Sequence, residues 1–280
     1  MSLKSIVAVA SGADSDVQLI AAASALAVQH GAGVRVVAAF PDPAADLIYF
    51  GTAMHGGADA HLRELIRTTE RESHERLEGL AREAAANAGL PFGVESKGAG
   101  LSLEPRGLQP ALAVLGAATL ADLVMFSDDV ATTLGGVFAE TLLSARAPIL
   151  LAKSKDMSIA KVAIAWDGSV QSGRAARAAI AMLRAASEVV ILRNVDDASE
   201  AGEPQLLKDY LVRQGVTNVS SRELRGSRVA QSLLDATQAE GCNLLVAGAY
   251  GRPRLYELVM GGTTRALVNA RGLPHIFLKH

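Results

Sequence analysis

The sequence predicts an α/β protein of two tandem open parallel five-stranded sheets, each with helices on both faces. The first observation is an opening pattern that occurs twice. Ser5-Ile6-Val7-Ala8-Val9-Ala10 runs into the turn formers Ser11, Gly12 and Asp14 and then an Ala-rich stretch, 17–30. Past the midpoint, Lys161-Val162-Ala163-Ile164-Ala165-Trp166 runs into Asp167-Gly168-Ser169 and the Ala-rich stretch 171–186. Each reads as a buried strand, a tight turn and a helix. The second observation is a matching close. Leu142-Leu143-Ser144-Ala145-Arg146 precedes Pro148-Ile149-Leu150-Leu151-Ala152-Lys153, and Leu267-Val268-Asn269-Ala270-Arg271 precedes Pro274-His275-Ile276-Phe277-Leu278-Lys279. Both are helix tails feeding a strand that starts with proline, where the missing N–H does least harm. Third, apolar runs alternate with helical patterns between these ends, as parallel strands buried on both faces require.

In the first half, the strand 5–10 and helix 17–30 lead to a strand at 34–40. A loop rich in Pro, Gly and Ala follows at 41–58, then a charged helix at 59–87. Leu62, Leu65, Ile66, Leu77 and Leu80 recur along that helix at a spacing that gives it one packing face. A loop of this length in a compact domain tends to carry function. In the second half the strands fall at 161–166, 188–194, 217–224, 243–248 and 274–279, and the helices near 171–186, 204–214, 227–240 and 262–271. The seam lies near Ser154-Lys155-Asp156-Met157-Ser158, giving domains 1–154 and 159–280.

Half of the 280 residues are hydrophobic and 20% are charged, so a sizeable core can form. The formal net charge of −2, with no long run of one sign, points away from a nucleic-acid or membrane surface. No apolar run reaches the ~18 residues of a spanning helix. Met1-Ser2-Leu3-Lys4 leads straight into a strand without a signal-peptide pattern, so a cytoplasmic location is expected. The single cysteine, Cys242, reads as a packed core thiol.

In open α/β sheets, ligands sit beyond the C-terminal ends of the strands. Two second-half loops reach that edge: Asp167-Gly168-Ser169, and Gly248-Ala249-Tyr250-Gly251 followed by nine residues and Gly261-Gly262-Thr263-Thr264. Glycines let backbone N–H groups approach an anion, and a helix N-terminus adds unpaired donors. Thr263 and Thr264 add hydroxyl donors or cap the helix. This spacing resembles the ATP-binding signature of the universal stress protein (UspA) family, and the resemblance extends over both halves. It implies an adenine-nucleotide alpha-hydrolase-like fold and bound ATP, with magnesium as a possible companion. It also implies phosphate contacts from Gly248, Gly251, Gly261, Gly262, Thr263 and Thr264, an adenosine-side role for Asp167, and a main-chain contact to adenine at Val195. The position after the third motif glycine, often serine in the family, is Gly262 here. Arg252 and Arg254 also lie within this loop. The family commonly dimerises through its last strand. A tandem chain can satisfy that pairing internally, with further homodimerisation still open.

The first half departs from the pattern. Its fourth strand runs into Ser127-Asp128-Asp129-Val130, and the loop to Gly135-Gly136 is about five residues shorter. Val137, Phe138, Ala139 and Glu140 follow in place of hydroxyl residues, and Ser11-Gly12-Ala13 replaces Asp-Gly-Ser. Asp128 and Asp129 read as a solvated turn, and this half is expected not to bind ATP. Ser11-Gly12-Ala13-Asp14-Ser15 resembles the S-G-G-x-D-S loop of ATP pyrophosphatases, but lacks one glycine. The six histidines, His55 and His61 among them, show no metal-ligand spacing, and no nucleophile–base pair can be argued. The expected function is therefore a stress-response ATP-binding regulatory protein with at most slow hydrolysis. The alternatives are a universal-stress-type protein for another small ligand or partner, and a pyrophosphatase-type enzyme.

Overall fold

The computed structural model describes residues 2–40, 58–93, 98–104, 110–196, 202–249, 262–272 and 274–280. The first half runs β1 (Ser5–Ala10), α1 (Asp16–His30), β2 (Gly33–Ala38), α2 (Ala58–Asn87), β3 (Gly100–Leu103), α3 (Pro110–Thr119), β4 (Leu123–Ser127), α4 (Val130–Thr133), α5 (Gly135–Leu143) and β5 (Ile149–Ala152). The second runs β6 (Lys161–Ala165), α6 (Val170–Ala178), α7 (Ile180–Ala185), β7 (Glu188–Asn194), α8 (Pro204–Arg213), β8 (Val219–Leu224), α9 (Val229–Ala239), β9 (Leu244–Gly248), α10 (Gly262–Asn269) and β10 (His275–Lys279). The predicted loop at 41–58 lies, except for Ala58, outside the described residues. One predicted helix, 171–186, is broken into α6 and α7 by a turn at Ala179, although no helix-breaking residue stands there.

The sequence predicts two sheets; the structure joins them into one. Its ten strands follow the order β3-β2-β1-β4-β5-β10-β9-β6-β7-β8. The same parallel five-strand order is traced on each side of a single antiparallel pairing, β5 with β10. There Ile149 pairs with Leu278, Leu150 with Phe277 and Leu151 with Ile276. Each half would otherwise end in a bare apolar edge, and the two edges cover each other.

Side chains alternate between two core layers, as a strand's period of two dictates. One layer holds Ile6, Ala8, Leu150, Val162, Ile164, Ile191 and Phe277, together with apolar residues of α1, α2, α6, α7 and α8. The other holds Val7, Val9, Phe126, Ile149, Leu151, Val190 and Leu278, with residues of α3, α5, α9 and α10. Both layers continue across the β5–β10 join.

Polar groups lock that join from the side. The Lys153 side chain is fully buried, and its Nζ lies 2.5 Å from Asp128 Oδ1 and 2.5 Å from the Ala270 carbonyl just past α10. The Arg271 guanidinium donates to the Asp128 carbonyl at 3.2 Å. Asp128 thus pairs with Lys153 within its own half and, at 3.8 Å, with Arg271 of the other, and is not the solvated turn expected from sequence. The buried His275 ring accepts from the Lys153 N–H through Nδ1 at 3.1 Å, while Nε2 lies 2.9 Å from the Asp156 carbonyl. Only the neutral tautomer with its proton on Nε2 satisfies both contacts.

Burial holds the His275 imidazole below its usual range, against the opposing pull of Asp156 and with the Lys153 ammonium adding to the lowering. The unfolded chain therefore takes up this proton first. The associated stability is complete above the unfolded value and is lost as pH falls through it toward the lower folded one. Urea midpoints should drop below about pH 6.5, with His275 contributing at most about 1.4 kcal/mol per pH unit. A His275→Gln chain should start with a lower midpoint at pH 8 and fall less steeply; equal slopes for the two chains would contradict this account.

Gly248 ends β9 where α6 presses on it. A Cβ there would lie 2.6 Å from the Ser172 nitrogen and 2.7 Å from the Gln171 carbonyl carbon, both main-chain atoms that cannot swing aside. A Cβ on Gly262, at the exposed start of α10, would meet nothing within 4 Å. Gly248→Ala should therefore cost about 1–3 kcal/mol in denaturant unfolding, while Gly262→Ala should shift it by less than about 0.5 kcal/mol.

Candidate strand-end site

The second-half edge is built by three strand ends. After β6, the chain turns at Asp167, whose Oδ1 accepts from the Ser169 N–H at 2.9 Å. Gly168 takes a positive φ of 76° to allow the turn. Ser169 then caps α6, its Oγ accepting from the Ser172 N–H at 3.2 Å. The Asp-Gly-Ser run is thus an Asx turn handing over to a helix cap, and it leaves Asp167 exposed at the rim.

At the end of β7, Asn194 and Asp196 grip the loop after β8. Asn194 Nδ2 donates to the Gly226 carbonyl at 2.9 Å, and Asp196 Oδ2 accepts from the Gly226 N–H at 2.8 Å. Val195 lies between them, and its N–H donates to the Leu224 carbonyl at 3.0 Å. Of its two main-chain groups, the carbonyl is the one that could address a ligand. At the end of β9, Gly248 packs on α6 as described above. Gly251, Gly261, Arg252 and Arg254 lie outside the described residues. Across the first turn of α10 the two threonines separate: Thr263 is exposed, whereas Thr264 is buried. Thr263 is therefore the hydroxyl that solvent or an anion can reach.

Two residues at this edge escape a motif-based reading. Ala165 and Leu192 are register partners, which places Trp166 and Arg193 side by side on the next position of β6 and β7. Both side chains turn toward the layer of α6 and α8. Trp166 is 7% exposed, and among the described residues neither its indole Nε1 nor the buried Arg193 Nε has an acceptor. The other end of the Arg193 guanidinium reaches Glu203 at 3.1 Å and Glu223 at 3.7 Å. The one sequence signal was the chain's single tryptophan standing directly before Asp-Gly-Ser.

The corresponding first-half edge is filled by its own carboxylates. Asp129 accepts from Ser127 Oγ at 2.5 Å and from Ser15 Oγ at 3.0 Å. The buried Asp16 accepts the N–H groups of Ser11 and Gly12 at 2.9 and 2.8 Å. Burial raises the Asp16 carboxyl above its ordinary value despite those bonds, and the neighbouring Asp129 charge raises it further. Where the second half has its glycine loop, this half has the helical turn α4. Behind it, Phe138 packs edge-on to Phe126 at 5.6 Å between centroids.

Burial pushes the Cys242 thiol up to about 11, so it carries almost no thiolate at neutral pH. Among the described residues no cluster of three or more His, Cys, Asp or Glu is placed to hold a metal ion, and no helix is long and apolar enough to cross a membrane.

Residues 159–271 match the universal stress protein family. A universal stress protein from Archaeoglobus fulgidus DSM 4304 superposes with a TM-score of 0.68 at 13% identity, covering 99% of this chain and 96% of that one. A functionally unknown protein from Pseudomonas aeruginosa PAO1 superposes at 0.53 with 12% identity, covering 99% and 92%. A universal stress protein solved in complex with cAMP aligns with 43% of this chain and 96% of its own, at 19% identity and a TM-score of 0.35. No curated protein matches the chain. The two full-length likenesses agree in fold, and the family match is confined to residues 159–271, within the second half.

Proposed function

We propose that the chain is a stress-response ATP-binding regulatory protein of two domains, 1–154 and 159–280, in which the second holds the nucleotide. The observation that carries this reading is the contrast between the two strand edges. In the second half, α10 starts with Gly262 and Thr263 exposed and open space over Gly262. In the first half, Asp16 and Asp129 occupy the corresponding turns with charge that phosphates would have to displace. In a cleft, such like-charge contact costs several kcal/mol.

On this reading, ATP brings its triphosphate to Gly251, Gly261, Gly262 and Thr263 at the start of α10, where helix N–H groups favour anions. Thr264, being buried, supports the helix and leaves direct contact to Thr263. Asp167 accepts from the ribose and the Val195 carbonyl from the adenine amino group. Gly248 acts indirectly, by letting β9 sit close to α6. Magnesium would accompany the phosphates. On this reading the chain works in the cytoplasm as a binder with at most slow ATP hydrolysis. The β5–β10 pairing is its lasting arrangement in solution, so a homodimer would have to use another surface.

Isothermal titration of the full chain should saturate at one ATP. Asp167→Ala should weaken ATP about tenfold, equivalent to about 1.4 kcal/mol, while lowering stability by no more than the ~1 kcal/mol of a lost turn or cap. Gly262→Val should weaken ATP at least as much with the fold intact. Two equivalent sites would overturn the assignment of ATP to one half. No ATP binding, with a different small molecule released from purified protein in mass spectrometry, would favour a ligand other than a nucleotide.

A further inference from the structure

A second cleft, separate from every residue assigned above, lies where the halves meet. It is an open cleft of about 460 Å3, lined by Arg146, Arg174, Arg177, Lys279, His280 and Tyr210, among others, with no Asp or Glu side chain on its wall. Arg146 comes from the first half, just before β5. Arg174 and Arg177 project from α6, Tyr210 from α8, and Lys279 ends β10. The segment 170–185 carries three arginines and no acidic residue. Of these, Arg184 is engaged with Gln214, donating to its carbonyl and to its side chain. Among the described residues, Arg146, Arg174, Arg177 and Lys279 form no ion pair.

Three features make this more than a basic surface. The chain's net charge is −2, so a concentration of four cations runs against its overall sign. Arg146 has a φ of 49°, the one non-glycine residue with positive φ among those described. That left-handed turn closes the end of α5, where the Ala147 N–H bonds back to the Thr141 carbonyl, and the Arg146 carbonyl accepts from the Lys279 ammonium. Gly272, at the equivalent place in the repeat, takes a φ of 71°, so Arg146 stands at a position that favours glycine. Lastly, burial and the nearby Arg174 and Arg146 charges lower the Lys279 amine from its ordinary value, a sign that the cations crowd one another.

We infer that this cleft is an anion-binding site for a small molecule carrying at least two phosphate groups. Three guanidinium groups offer planar forks that match phosphate oxygens two at a time, and the ammonium adds a point charge. One phosphate would leave most of the four cations uncompensated, whereas a diphosphate or bisphosphate matches them. The volume is that of a small-molecule pocket. Tyr210, with Ala178 and the buried Ile180 beside it, supplies an apolar wall for the rest of the ligand. Because Arg146 and Arg174 belong to different halves, the ligand clamps the β5–β10 join. The inference does not rest on ATP binding at the other site.

The test uses inorganic pyrophosphate as the probe, on the full chain at fixed ionic strength, with ATP absent and then saturating. Pyrophosphate should bind at one site, raise the thermal unfolding midpoint, and bind with unchanged affinity when ATP is saturating. Arg174→Gln and Arg177→Gln, both at exposed positions on α6, should each weaken pyrophosphate at least tenfold and leave ATP affinity as it was. Arg146→Gly separates ligand from architecture. It removes the strain, so the unfolding midpoint should stay level or rise in the absence of probe, yet pyrophosphate should bind at least tenfold more weakly. No saturable binding, binding unchanged in all three variants, or one-for-one displacement of pyrophosphate by ATP would each overturn the proposal.

Discussion

The antiparallel contact of β5 with β10 is the constraint on which the rest of the molecule depends. Every other pairing in the sheet is parallel and lies within one half. Ile149, Leu150, Leu151, Ile276, Phe277 and Leu278 are each no more than 1% exposed. At ~1.5–3 kcal/mol for each side chain fully buried, the gross contribution of this strip rivals the whole net stability of a typical domain, about 5–15 kcal/mol. The far edges are treated differently. On β8, Ser220, Ser221, Arg222 and Glu223 are exposed, a polar surface that discourages further strands. Growth of the sheet is favoured at the join and opposed at the β8 rim.

The join also accounts for much of what the first half lacks. Asp128 follows Ser127, which ends β4 as Gly248 ends β9, and its carboxylate is committed to Lys153, which reaches across to the C-terminal carbonyls of α10. Those carbonyls carry the negative end of the helix dipole, so the buried ammonium is offset from both sides. A buried ion pair of this kind adds little net stability, but removing one partner is costly. With Asp128 serving the seam and Asp129 tying Ser15 to Ser127, both carboxylates of the turn after β4 are held by contacts within the protein.

How much of this could be read from sequence differs sharply by kind of feature. Apolar runs such as Val162-Ala163-Ile164 declare buried strands, because burial on both faces removes any polar alternation. The repeat declares the topology. The single sheet was legible only through the family resemblance: that β5 and β10 are apolar edges is visible, but their pairing was expected from last-strand dimerisation and not from any local pattern. Glycine spacing is blind to cause as well. Gly248 fits a phosphate motif, yet its missing side chain is demanded by the backbone of α6 at 2.6 Å. Likewise, Thr263 and Thr264 are equivalent letters, and only the helix phase of α10 exposes one and buries the other. Contacts between residues far apart in sequence, such as Lys153 with His275, leave no local trace at all.

The antiparallel join has a final electrostatic consequence. Within each half, the parallel strands point their C-terminal ends to one edge of the sheet; reversing direction at β5–β10 sends those two edges to opposite sides. The first half's edge gathers Asp14, Asp16 and Asp129, of which Asp14 is paired with Arg76 at 2.6 Å. Arg146 precedes β5, so it stands at the N-terminal edge of its own half, which is the C-terminal side of the other. It therefore joins Lys279 and the arginines of α6, not the aspartates of its own domain. Had β5 and β10 paired in parallel, Arg146 would have faced away from Lys279 and the cations would have been divided. The separation of Asp14, Asp16 and Asp129 from Arg146, Lys279 and the arginines of α6 follows from one reversal of strand direction.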